Sequence, residues 1–179
     1  NFPRCKTICR SVTDLSGAEI REQAGIGDRE VDVVFGGAPC QGFSMIGKRA
    51  LDDPRNALVH HFVRIVVELD AKYFVFENVK GLTVGQHKRF LAELIESFRD
   101  AGYDVLDPYR VLNAAEYGVP QDRRRLFLIG CRRGLKLPHY PEPVDRVTVA
   151  EAIGDLPNAD EITALVAHDA VRTKLRKPS

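Results

Sequence analysis

The sequence predicts an α/β domain built on a mainly parallel sheet with helices on its faces. Three observations point there. Short apolar runs rich in β-branched and aromatic residues recur at 31–35, 72–76 and 126–130. Segments with apolar residues at helical spacing lie between them, and glycine- or proline-bearing turns close the runs. Strand and helix in alternation is the pattern of parallel strands joined by crossover helices.

Each element has its own signal. Residues 6–12 read as a short first strand. Residues 16–24 read as a short helix, with Ser16 as cap and Glu19 three positions on, a capping-box spacing. The run 31–35 has Asp32 as its only charge and reads as a strand buried on both faces. A long polar loop over 39–53 follows. Asp53 then caps a helix whose first turn holds Pro54 and whose core stripe is Leu58, Phe62, Ile65, Val66 and Leu69. Residues 73–76 form the third strand. A helix over 86–101 presents Phe90, Leu91, Leu94, Ile95 and Phe98 on one face and ends at Gly102. The stretch 103–114, interrupted by Pro108, reads as an edge strand or two short pieces, and 125–130 as the last strand. Four prolines between Pro138 and Pro157 argue against further sheet, and 148–154 allows one or two helical turns.

A chain of 179 residues, 44% of them apolar, suffices for one core. The net charge of +1 hides uneven segments. Between Gln121 and Lys136 six basic residues face the single acid Asp122, a local anion-binding footprint. The cluster Arg172, Lys174, Arg176 and Lys177 reads as a solvated tail. Four cysteines make no Cys-x-x-Cys pair, so no metal site is expected. Without a secretory leader the chain reads as intracellular, and no apolar stretch approaches the ~18 residues that would span a membrane.

Chemistry concentrates at Gly36-Gly37-Ala38-Pro39-Cys40-Gln41-Gly42-Phe43-Ser44. A cysteine on a Gly/Pro turn past a strand stands where α/β sheets collect ligands, and is a candidate nucleophile. It is equally an ordinary small buried residue on that signal alone. Two more segments bear on it. Glu77-Asn78-Val79 closes the third run, and Tyr117-Gly118-Val119-Pro120-Gln121-Asp122-Arg123-Arg124-Arg125 leads into the fourth. On an extended segment Arg123 and Arg125 point one way and Arg124 the other.

Pro-Cys-Gln, Glu-Asn-Val and Gln-x-Arg-x-Arg, in this order and at these distances, resemble the DNA cytosine-5 methyltransferase family. The resemblance runs from 31 to 130 and continues more weakly through Tyr140-Pro141-Glu142-Pro143 and the segment 148–153. It implies a Rossmann-like S-adenosylmethionine-dependent methyltransferase fold, with S-adenosyl-L-methionine as methyl donor and double-stranded DNA as partner. It implies that Cys40 adds to C6 of a flipped-out cytosine and that Glu77 binds N3 and the exocyclic amine. It assigns Arg125 to the base carbonyl O2 and Arg123 to the acid or a phosphate. Pro39 and Leu58 become cofactor-side residues, and Gln41, Ser44, Lys48 and Arg49 become DNA contacts in a lid that closes over the base. Asn78 is expected to brace the loop.

Some of the family pattern is absent. Gly25-Ile26-Gly27 precedes a strand, whereas a cofactor loop follows one and opens a helix. Ser11 stands where an aspartate would meet the adenine amine, with Asp14 three residues on. The reading is therefore of a catalytic core over 1–135 that lacks its first cofactor-binding unit, and of residues 136–179 as the start of a connection to a target recognition domain. By itself such a segment is expected to be inactive and to bind the cofactor poorly. A bacterial modification enzyme of the cytoplasm, paired with a restriction endonuclease but holding no stable protein partner, is the leading reading. A transfer-RNA cytosine-5 methyltransferase and a non-catalytic, methyltransferase-like DNA-binding protein are the alternatives.

Overall fold

The apolar runs pair into one sheet, in a computed structural model that describes residues 5–39, 57–85 and 87–156. Its strands are β1 (Val33–Gly36), β2 (Tyr73–Val79), β3 (Tyr103–Val105), β4 (Arg110–Asn113) and β5 (Arg124–Arg132). The helices are α1 (Gly17–Ala24), α2 (Ala57–Glu68), α3 (His87–Asp100) and α4 (Val149–Ile153). The strand order is β1-β2-β5-β3, with β4 also paired to β5.

The sheet is mixed, which corrects the expectation of mainly parallel strands. Among the described residues β1 and β2 are parallel, while β2, β3 and β4 all run antiparallel to β5. The reason is the short return from β4 to β5. Parallel neighbours need a crossover of a dozen or more residues, whereas a short connection forces antiparallel pairing. Here the return is tied at its base, where Ala114 N donates to Arg123 O at 3.0 Å.

Side chains of Phe74, Phe76, Leu126 and Leu128 are fully buried and share one face with Val59, Val63 and Val66 of α2 and Phe90, Leu91, Leu94 and Phe98 of α3. Phe74 and Phe98 stack at 3.9 Å between ring centres. Alternation along β1 turns Val33 and Phe35 toward the opposite face. Phe35 is 80% exposed and Val33 47%, so β1 is not buried on both faces as its composition suggested. Its apolar character marks one helix-covered face and one face that α2 and α3 do not reach.

Two helices follow their sequence signals closely. Ser16 and Glu19 close the capping box of α1 in both directions. Gly102, in the left-handed region at φ 89°, closes α3 by donating its N–H to Arg99 O at 3.0 Å. For α2 the buried face is Val59, Val63, Ile65 and Val66, and Phe62 of the expected stripe packs half-buried against it, its ring 5.4 Å from that of Phe76, whereas Leu58 lies outside the core cluster. Asp53, Pro54 and Gln86 lie outside the described residues. The expected strand over 6–12 is not formed. Instead the Ser11 hydroxyl accepts from Thr13 N at 3.3 Å and lies 2.8 Å from the Thr13 hydroxyl, capping a 3₁₀ turn at Val12–Asp14. A serine that bonds its own backbone bends the chain away from a ladder.

One packing contact yields a stability prediction. Gly130 sits opposite Phe74 in the β2–β5 register, and an added Cβ would lie 2.4 Å from the Phe74 ring and 2.6 Å from Asp104 O. Neither neighbour can retreat, because Phe74 is stacked on Phe98 and Asp104 belongs to β3. Gly130→Ala is expected to cost ~3 kcal/mol, the upper end for overpacking. A urea titration monitored by circular dichroism would read this as a lowered midpoint at unchanged slope.

Candidate active site

β1 and β2 leave the sheet at the same edge, and antiparallel β5 enters there. The residues just beyond β1, the last residues of β2 and the first of β5 therefore meet. Glu77 is inside β2 rather than past its end, and its register partner on β5 is Phe127. Two residue pairs further on, Val79 faces Arg125. The side chains of Glu77, Arg125 and Phe127 alternate onto the sheet face away from α2 and α3.

They line a cavity of about 330 Å3, with Leu112, Ala114, Tyr117, Val119 and Arg123 completing its wall. Arg123 and Arg125 share the cavity, and Arg124 is absent from its wall, with its Nε 3.7 Å from the Asp122 carboxylate instead. The ion pair to the acid comes from Arg125, whose Nε lies 2.9 Å from Glu77 Oε1, and not from Arg123 as the resemblance allowed. The Glu77 and Arg125 side chains are 33% and 25% exposed. Pairs this open contribute only ~0.2–1 kcal/mol to stability. Their consequence is orientation, because one carboxylate oxygen is held by the guanidinium.

The other oxygen touches β1's exit. A Cβ on Gly37 would lie 2.6 Å from Glu77 Oε2, so only glycine lets the backbone pass this close to the carboxylate. The neighbouring Asn78 is buried. Its Nδ2 donates to Ala38 O at 3.1 Å, and its Oδ1 accepts from Val79 N at 2.8 Å. The turn carrying Ala38-Pro39 is thereby tied to β2 by a side chain that also closes its own backbone, the bracing expected of an asparagine here. Cys40 follows Pro39 directly. Cys40, Gln41, Ser44, Lys48 and Arg49 lie outside the described residues.

A second cavity, about 320 Å3, opens on the other side of Gly37. Val12, Val34, Phe35, Gly36, Gly37, Ala38, Pro39, Leu58, His61, Phe62 and Ile65 line it. Pro39 and Leu58 are where the sequence reading put the cofactor side. Ser11 is not in the wall. Its hydroxyl caps the 3₁₀ turn, and Val12 faces the cavity in its place. Among the described residues the lining is apolar except for His61, and no carboxylate belongs to it. Such walls fit the two faces of an adenine ring and, among the described residues, offer a charged amino-acid tail no partner there. One residue of this wall escaped the sequence reading and need not have: His61 stands three positions after Leu58, on the same side of a helix as Leu58 and Phe62.

The comparisons with known proteins bear on the family and the fold. Residues 1–177 match the family model of the C-5 cytosine-specific DNA methylases. The chain is 65% identical over 179 residues to the type II methyltransferase M.XorII of Xanthomonas oryzae pv. oryzae, covering all of this chain and 42% of that protein. It is 42% identical to the type II methyltransferase M1.HphI of Haemophilus parahaemolyticus, over 96% of this chain and 46% of that one. Among solved structures, a prophage-encoded E. coli protein described as a DNA modification methyltransferase superposes with a TM-score of 0.73 at 35% identity. That match covers 88% of this chain and 44% of the other. An α/β edge holding an acid, two arginines and an apolar slot is thus found in a methyltransferase fold. The chain belongs to the C-5 cytosine-specific DNA methylase family, and it spans less than half the length of M.XorII and of M1.HphI.

Proposed function

We propose that the cavity around Glu77, Arg123 and Arg125 receives a cytosine flipped out of duplex DNA, and that the protein methylates it at C5. The observation that carries this reading is the 2.9 Å Glu77–Arg125 pair in a cavity beside the turn that leads into Cys40. A base within the duplex hides C6 from any thiol, so the target has to leave the stack. Cavities of this size lie at the low end of small-ligand sites, roughly 300–1,000 Å3, which suits a single nucleotide.

Cytosine C5 is a poor nucleophile. Addition of the Cys40 thiolate to C6 makes C5 enamine-like, and cysteine suits the step because it is nucleophilic and leaves readily. Glu77 holds the base through N3 and the exocyclic amine, sharing a proton with N3 as charge develops on the ring. Arg125 fixes the rotamer of Glu77 and, with Arg123, supplies donors for O2 and for the phosphate of the flipped nucleotide. Asn78 holds Ala38 and so the approach of the nucleophile. Val12, Pro39 and Leu58 pack against the adenine of S-adenosylmethionine, which when bound supplies an electrophilic methyl group on a sulfonium. Once C5 is methylated, loss of its proton and departure of the Cys40 sulfur restore the aromatic ring.

Gln41, Ser44, Lys48 and Arg49 serve as phosphate and strand contacts that position the duplex without reading its sequence. Residues 1–135 form the catalytic core, and 136–179 lead toward the domain that selects the sequence. The reaction takes place in the bacterial cytoplasm, where the modified sequence is also that of a partner endonuclease. The test is transfer of a tritiated methyl group by the full-length protein to duplex DNA and, separately, to transfer RNA. Label recovered as 5-methyl-2′-deoxycytidine is expected. Label confined to RNA would overturn the choice of substrate, and no label in either would favour a non-catalytic role.

A further inference from the structure

Among the described residues the apolar cavity has one polar side chain, that of His61, and it is wired into the protein behind it. Arg64 Nε donates to His61 Nδ1 at 3.2 Å. The same guanidinium donates through Nη1 to both oxygens of Glu68, at 2.9 and 2.8 Å, and through Nη2 to Val12 O at 2.6 Å. Glu68 in turn accepts from Gly17 N at 2.6 Å, at the start of α1. The Arg64 bond lowers the Glu68 carboxyl below its ordinary range, with the Gly17 bond adding to the effect. Gly17 can occupy that place because it lacks a side chain; its Cβ would lie 2.6 Å from Glu68 Cβ.

Arginine has no acceptor, so Nδ1 of His61 must carry the lone pair. The imidazole proton is therefore on Nε2, and a second proton on Nδ1 would confront the Arg64 N–H. His61 reaches the cavity wall with Nδ1 occupied by Arg64 and Nε2 left to donate one hydrogen bond. The residue at which an adenine-binding carboxylate is expected, Ser11, is spent on its own turn.

We propose that His61 is a cofactor-binding residue that donates its Nε2 proton to a ring nitrogen of the cofactor's adenine, with Arg64 as the positioning residue that fixes the tautomer. This rests on the reading of the 320 Å3 cavity as the adenine site. Recognition here is inverted relative to an aspartate. A carboxylate would accept from the adenine amine, whereas His61 offers a donor to a purine acceptor and leaves the amine to backbone carbonyls or water.

The test uses the full-length protein and S-adenosylhomocysteine, with its 1-deaza, 3-deaza and 7-deaza adenine analogues, by calorimetry. One analogue is expected to bind the wild type about tenfold more weakly than the parent, the loss of one hydrogen bond. In His61→Ala all four ligands should bind alike, at that weakened level. His61→Gln, which keeps an N–H donor, should recover part of the affinity. In turnover the KM for the cofactor should rise in His61→Ala at unchanged kcat, since the bond is the same in ground and transition states. Melting curves of each variant separate a folding defect from a binding one, and the analogue series on the wild type stands whether or not a variant folds. Equal binding of all three deaza analogues to the wild type would overturn the proposal while leaving the adenine site in place. No binding of S-adenosylhomocysteine to the wild type would overturn both.

Discussion

Duplex DNA in which cytosine is replaced by 5-fluorocytosine is expected to become covalently attached to the full-length protein when S-adenosylmethionine is present. The attachment should survive denaturing electrophoresis, and Cys40→Ser should abolish it. The argument is chemical. After methyl transfer the ring returns to aromaticity by losing the atom at C5, a proton in cytosine. Fluorine cannot leave as a cation, so the sulfur–C6 bond has no route to break. Serine is a far weaker nucleophile at neutral pH than a thiolate and would form no such bond on the same time scale. The other cysteines make poor substitutes by position. Cys131 is fully buried in β5, its thiol pushed up chiefly by burial, and Cys5 and Cys9 are exposed and belong to the wall of neither cavity. An adduct that persists in Cys40→Ser would place the nucleophile elsewhere and undo the assignment of the Pro39-Cys40 turn.

What could be read in the sequence follows from the range of the interactions involved. The face of α3 and the capping box of α1 depend on residues three and four apart, and both appear as the pattern implied. The convergence of Glu77, Arg123 and Arg125 was also legible, because parity along a strand decides which arginines share a side. Pairing was not. Whether 103–113 joins an antiparallel neighbour depends on the tied return between Asn113 and Arg124, a contact across sequence that no local pattern reports. The exposure of Phe35 was hidden for a different reason. An apolar run states that burial is possible, not which faces the remaining elements will cover. Ser11 illustrates a third limit. An aligned position suggested a ligand, yet a hydroxyl that can satisfy its own backbone does so, and the adjacent Val12 takes the wall.

The close passage of Gly37 beside Glu77 has a consequence for rate that stability measurements would miss. Gly37→Ala places a methyl group where Glu77 Oε2 now lies, 2.6 Å from the new carbon. The backbone at Gly37 has no freedom to retreat toward the first cavity without disturbing Ala38, which Asn78 holds. The carboxylate is the softer party and will rotate away, at the cost of its 2.9 Å bond to Arg125. Because that pair is partly exposed, its loss should change the unfolding free energy by less than ~1 kcal/mol. Catalysis is less forgiving, since displacing a base-holding group by about 1 Å can slow a reaction on the order of 100-fold. Gly37→Ala is therefore expected to lower kcat on the order of 100-fold while leaving the thermal midpoint nearly unchanged. Glu77→Gln, which keeps the shape of the side chain but removes the charge and the shared proton, should fall by ~10²–10⁴-fold. If Glu77 is the group that Gly37 accommodates, the double variant will be little slower than Glu77→Gln alone. Full additivity of the two effects would show that Gly37 acts on catalysis by some path other than the carboxylate.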